Sequence, residues 1–146
     1  MRKFLLAMGC LALSLSACTT TGTGTPVSDA AGTALSFARS GIDATAHAFD
    51  AALYGLDVAM DFHVLTPGSD QAKRIAAIGR QVQSALNKAD AAVTAGNSAG
   101  AKAALDEADG LISQFKSLLP AHGTTGMLAP RFAPHVRAEI LARAAA

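Results

Sequence analysis

Three stretches between residues 29 and 119 carry apolar side chains at steps of three and four, and each stretch closes on a turn signal. The first runs from Asp29 to Leu65, with Leu35, Ala38, Ile42, Ala46, Phe49, Leu53, Leu56, Met60 and Val64 in step. Thr66-Pro67-Gly68 stops it, and Ser69 or Asp70 is the expected N-cap of the next. Ile75, Ile78, Val82, Leu86, Ala89 and Val93 form the second stripe, broken at Ala95-Gly96-Asn97 with Ser98 as the expected cap. Ala101, Leu105, Ala108, Ile112, Phe115 and Leu119 form the third, ended by Pro120 and Gly123. This period is one face of an α-helix and not the alternation of a strand. None of the three can bury its stripe alone, and the turns between them are short. The expected fold is therefore all-α, a small antiparallel three-helix bundle over residues 29–119. With aromatics at 5% and no Trp, its core is aliphatic and closely spaced, which suits helices packed side by side.

The chain begins in another character. Arg2 and Lys3 precede the apolar run Phe4–Leu15. As a helix this run is about 18 Å long, against a bilayer core of roughly 30 Å. It is too short for a permanent span and fits a basic n-region followed by an export h-region. The run ends in Leu15-Ser16-Ala17-Cys18, an aliphatic residue, two small residues and a cysteine. In this the chain resembles the lipobox of bacterial lipoproteins. The resemblance covers about 18 residues and implies thioether lipidation of Cys18, cleavage before it by the lipoprotein signal peptidase, and acylation of the new amino terminus. Leu15, Ser16 and Ala17 are then the peptidase recognition residues. The covalent lipid is the only cofactor expected. Two or more acyl chains hold a protein stably to a membrane without a transmembrane helix. In enteric bacteria an Asp after the cysteine resembles an inner-membrane retention signal. Thr19 stands there instead, which points to the outer membrane, facing the periplasm.

The expected organisation is a signal peptide at 1–17, a lipidated cysteine and tether at 18–28, the helical domain at 29–119 and a tail at 120–146. The tether is rich in Thr and Gly, and ten extended residues reach at most about 33 Å. In the tail, Pro130 and Pro134 bracket Arg131-Phe132, and His135–Arg143 has the makings of one short helix, marginal alone in water. The tail is accordingly expected to be weakly structured. Its Arg131, Arg137 and Arg143 outnumber Glu139 and suit contact with anionic lipid.

The formal charge of +1 includes Arg2 and Lys3, so the processed chain carries −1. That excludes bulk nucleic-acid binding, which needs a concentrated basic field. Cys10 lies in the start segment, so no cysteine pair remains for a disulfide or a metal. On the first helix Asp43, His47, Asp50, Tyr54, Asp57 and Asp61 follow steps of four and three and fall within roughly 40° of one line. This acidic ridge is expected to be ion-paired or solvated, with Lys73, Arg74, Arg80 and Lys88 of the second helix as the available cations, and it is the candidate partner-binding surface. Its short side chains are spaced too widely for a closed cation site, so no metal is expected. On the other flank Ala44, Ala48, Ala51, Gly55, Val58 and Phe62 present small residues that let a neighbouring axis approach. The stretch Gly96-Asn97-x3-Ala101-x3-Leu105-x2-Ala108 resembles the turn and second helix of a tetratricopeptide repeat, although a generic helical hairpin explains it equally well.

No nucleophile–base pattern, metalloprotease motif or phosphate loop is present. The expectation is a membrane-anchored module in the bacterial envelope that works by contact with another envelope protein or with itself, and not an enzyme. The alternative is a small-ligand or metal carrier using the ridge.

Overall fold

The computed structural model describes residues 28–120 and 130–146, with side chains from residue 32 onward. The export segment, the lipobox residues Leu15, Ser16, Ala17 and Cys18, and the tether up to residue 27 lie outside them. Within the described residues the chain is helical: α1 (Ser28–Asp61), α2 (Asp70–Thr94), α3 (Ser98–Leu118) and α4 (Pro134–Ala145). The all-α expectation holds. Four helices stand where three and a tail were expected.

The boundaries follow from local chemistry. The first helix ends at Asp61, four residues before the position expected from the stripe. There His63 takes a left-handed backbone, φ 56°. Its N–H donates to the Met60 carbonyl (3.1 Å), and the Val64 N–H donates to Ala59 (2.9 Å). This pairing is the Schellman stop, which ordinarily places glycine where His63 stands. The stop turns Val64 outward and brings Leu65 into the core in its place. Ser69, and not Asp70, caps α2, accepting from the Ala72 N–H at 3.2 Å.

The α2–α3 turn uses the same stop with Gly96, φ 72°, in the left-handed position. The Asn97 N–H closes onto the Ala92 carbonyl at 2.8 Å. The Asn97 side chain then accepts from the Gly100 N–H at 2.9 Å, so one residue ends α2 and caps α3. The cap expected at Ser98 is therefore one residue earlier. Serine and asparagine serve this position equally well, and the tight turn decides between them. At the far end Leu119 is forced into extended backbone ahead of Pro120.

Side-chain contacts give the packing. Gln71, at the start of α2, donates to the Leu118 carbonyl at the end of α3 (2.8 Å), and Lys88 pairs with Glu107 (3.4 Å). Thr45 of α1 donates to Asp109 of α3 (3.2 Å), and the rings of Phe49 and Phe115 meet edge to face at 5.8 Å. The stripes converge as their period requires. Phe49, Leu53, Leu56, Ile75, Val82 and Phe115 are all fully buried. A smaller cluster of Ala38, Val93 and Ala101 secures the upper part of α1 against the α2–α3 turn.

The tail carries the short helix expected around His135–Arg143, but packed into the core and not weakly structured. Residues 134–145 are a helix opened by Pro134, whose missing N–H costs nothing in a first turn. Ile140, Leu141 and Ala144 are buried in the main core. Twelve residues are too few for a stable isolated helix, so packing supplies what propensity does not. Leu141 lies over Gly79 of α2, so close that a Cβ at Gly79 would overlap its side chain. The Gly68 N–H meets the Ala144 carbonyl at 3.1 Å and holds the other end.

Two substitutions separate these effects. Gly79→Ala is expected to lower stability by about 1–3 kcal/mol through overpacking against Leu141 and Phe115. Gly110→Ala, in open space on α3, should raise it by about 0.5–1 kcal/mol through helix propensity. At the α1 stop, His63→Gly should also stabilise, by up to about 1 kcal/mol, because it relieves the left-handed backbone. Thermal melts of the three variants check all three signs.

Candidate functional site: the acidic ridge of the first helix

The ridge residues do not share one environment. Asp43 is exposed, His47, Tyr54 and Asp57 are half-buried, Asp61 is exposed, and Asp50 is buried with 1% of its surface accessible. A line of carboxylates at steps of seven and four thus runs from solvent into a helix contact and out again. That contact is with α4.

Asp50 accepts three hydrogen bonds. Arg137 Nε donates to Oδ1 at 2.7 Å and Arg137 Nη2 to Oδ2 at 3.0 Å, a two-point fork. The Phe132 backbone N–H, just ahead of α4, adds a third at 3.3 Å. The Arg137 side chain is itself only 14% exposed. Lower on the ridge, Arg143 reaches Asp57 at 2.9 Å and also pairs with Asp61. These two pairs lie at the surface. The Asp61 contact, helped by Asp57, raises the Arg143 pKa above its ordinary value. Arg143 is fully charged at neutral pH either way, so the shift leaves the charge state there unchanged.

Electrostatics explains why this site is charged inside and out. A buried carboxylate without a partner is costly, and the guanidinium fork matches its two oxygens in plane. Among the described residues every buried side-chain nitrogen and oxygen has a hydrogen-bond partner. The ridge therefore meets a helix of this same chain through Asp50, Asp57 and Asp61. Among the described residues no three His, Cys, Asp or Glu side chains converge as a metal site would require.

The arginine partners were not foreseen from the sequence. Arg137 and Arg143 read there as surface charge suited to lipid. The available signal was the pattern Arg137, Ile140, Leu141, Arg143, Ala144, an apolar edge flanked by two cations. Nothing local to it says which acids, 82 to 87 residues away, would receive them.

On the opposite flank of α1, Gly55 is buried, Ala48, Ala51 and Val58 are half-buried, and Ala44 and Phe62 are exposed. Gly55, Val58, Ala59, Phe62, Val64, Leu119 and Pro120 line an apolar cleft of about 400 Å³. No ionisable side chain lines it, so the cleft offers shape and apolar surface but no acid, base or nucleophile.

No protein-family model matches this chain, and no curated protein or solved structure matches it either.

The fork geometry has a direct consequence. Arg137→Lys keeps the charge but gives up the planar two-point contact. It should destabilise by about 1.5–3 kcal/mol, the scale of one charged hydrogen bond. Arg143→Lys, at the surface, should leave the denaturation midpoint nearly unchanged. Urea titration of residues 28–146 measures both.

Proposed function

We propose that this chain is an exported lipoprotein of the bacterial envelope, held to the membrane through acylated Cys18, whose helical domain works by contact. The observation that carries the reading is the run Arg2-Lys3, Phe4–Leu15 and Leu15-Ser16-Ala17-Cys18, in which charge, apolar length and cleavage box occur in the right order. A lipid anchor would attach the domain without a spanning helix. Among the described residues no helix is long and apolar enough to cross a membrane. Residues 18–27 then tether the domain, and Thr19 in place of Asp favours the outer membrane on its periplasmic side.

In this reading α1, α2 and α3 form an antiparallel three-helix unit and α4 closes over it. The module binds and does not catalyse. What supports this is chemical: the carboxylates at the centre of the ridge are held by arginines, and the one cleft described has an apolar lining. The partner is another envelope protein or a second copy of the chain. The alternative of a carrier using the ridge is weaker, because Asp50, Asp57 and Asp61 already have cationic partners.

Metabolic labelling with a fatty-acid analogue tests the anchor. The wild-type chain should take up label and Cys18→Ser should not, and globomycin should cause the uncleaved form to accumulate. Equal labelling of the two chains would refute the reading.

A further inference from the structure

Helix α4 differs from the other three in how it is held. It is 12 residues long, below the length at which a helix persists alone in water. It buries Ile140, Leu141 and Ala144 fully and Val136 and Ala145 in part, whereas α1, α2 and α3 also meet one another directly, through the Phe49–Phe115 ring contact, the Thr45–Asp109 bond and the Lys88–Glu107 pair. Its polar attachments are the ion pairs of Arg137 and Arg143 and two hydrogen bonds to its own carbonyls, from the Gly68 N–H to Ala144 and from Gln83 to Pro134. On undocking, Asp50 and Arg137 both regain water, and that hydration offsets much of the attraction lost. Closure of α4 is thus worth a fraction of the stability of the whole, the condition for opening as a separate unit.

The surface beneath α4 has a defined chemistry because its occupant is visible. One wall carries Asp50, Asp57 and Asp61, and the floor has the slot above Gly79 that Leu141 enters. It selects a helix with Arg at one position, Leu four residues on and Arg two further, as Arg137, Leu141 and Arg143 stand.

We propose that α4 is a latch: an intramolecular ligand that opens without unfolding α1–α3 and so yields its groove to a basic amphipathic helix of a partner protein. Being in the same chain, α4 has a high effective concentration. A partner helix therefore displaces it only by binding more tightly or by meeting a latch already weakened. The inference concerns the groove alone and stands whether or not Cys18 is lipidated.

The test uses the full-length chain in detergent micelles and, as probe, a fluorescent peptide of residues 130–146. Arg137→Glu repels Asp50 and opens the latch while leaving the groove intact. That chain should bind the peptide at least tenfold more tightly than wild type does. Adding Asp50→Arg to it restores the internal pair with reversed charge, and hydrogen exchange of the α4 amides should slow back toward the wild-type rate. In wild type, α4 amides should exchange hydrogen through an opening that leaves α2 and α3 protected. Peptide binding no tighter in Arg137→Glu than in wild type overturns the proposal. So does α4 exchange as slow as the slowest amides of α2 and α3, and this reading decides alone if the Arg137→Glu chain does not fold.

Discussion

A single carboxylate inside the protein organises what surrounds it. Asp50 sits on α1 where the acidic ridge passes into the interior, with 1% of its surface left to solvent. An ion of this kind loses several kcal/mol of hydration on burial, so the fold must return donors to it. Arg137 brings two and the Phe132 backbone a third. Satisfying that demand fixes α4 in position along α1. Once Arg137 is placed, Leu141 falls one turn further on over Gly79, and Arg143 falls beside Asp57 and Asp61. Apolar burial alone would hold α4 to this face, but it is non-directional and would tolerate sliding. The fork does not.

The same constraint explains which parts of the fold were legible in sequence. The stripes were, because burial imposes a period of 3.6 whatever lies opposite. Phe49, Leu53, Ile75, Val82, Ile112 and Phe115 are buried as their spacing requires. The break between α2 and α3 was, because Gly96 is free to take positive φ, but its cap was expected at Ser98 and is Asn97. The end of α1 was not. His63 occupies a position usually given to glycine, and Val64 continues the apolar step into a turn that no longer follows it. The ridge was legible as a ridge, but a row of acids at helical spacing reads the same whether it faces water or arginine. What distinguishes Asp50 from Asp43 lies 87 residues away, and only folding brings the two together.

In the function proposed above, the amino-terminal residues would serve export and lipidation. The domain that follows keeps its central carboxylates closed under α4. Among the described residues, the exposed top of the ridge at Asp43 and the apolar cleft beside Phe62 and Val64 are surfaces a partner could meet. Displacing α4 would add a third, acidic and apolar at once. Association of a lipid-tethered module is aided by confinement to a membrane, which raises the effective concentration of partners sharing that surface.

The account rests on Asp50 and Arg137 acting as one unit, and a double-mutant cycle measures that most directly. Urea denaturation of residues 28–146 would be compared for Asp50→Ala, Arg137→Ala and the pair together. Strong coupling is predicted, on the order of 2 kcal/mol, with the double variant far less damaged than the two single losses combined. Losses that add to within about 0.5 kcal/mol would contradict the account, and α4 would then be held by its apolar edge alone.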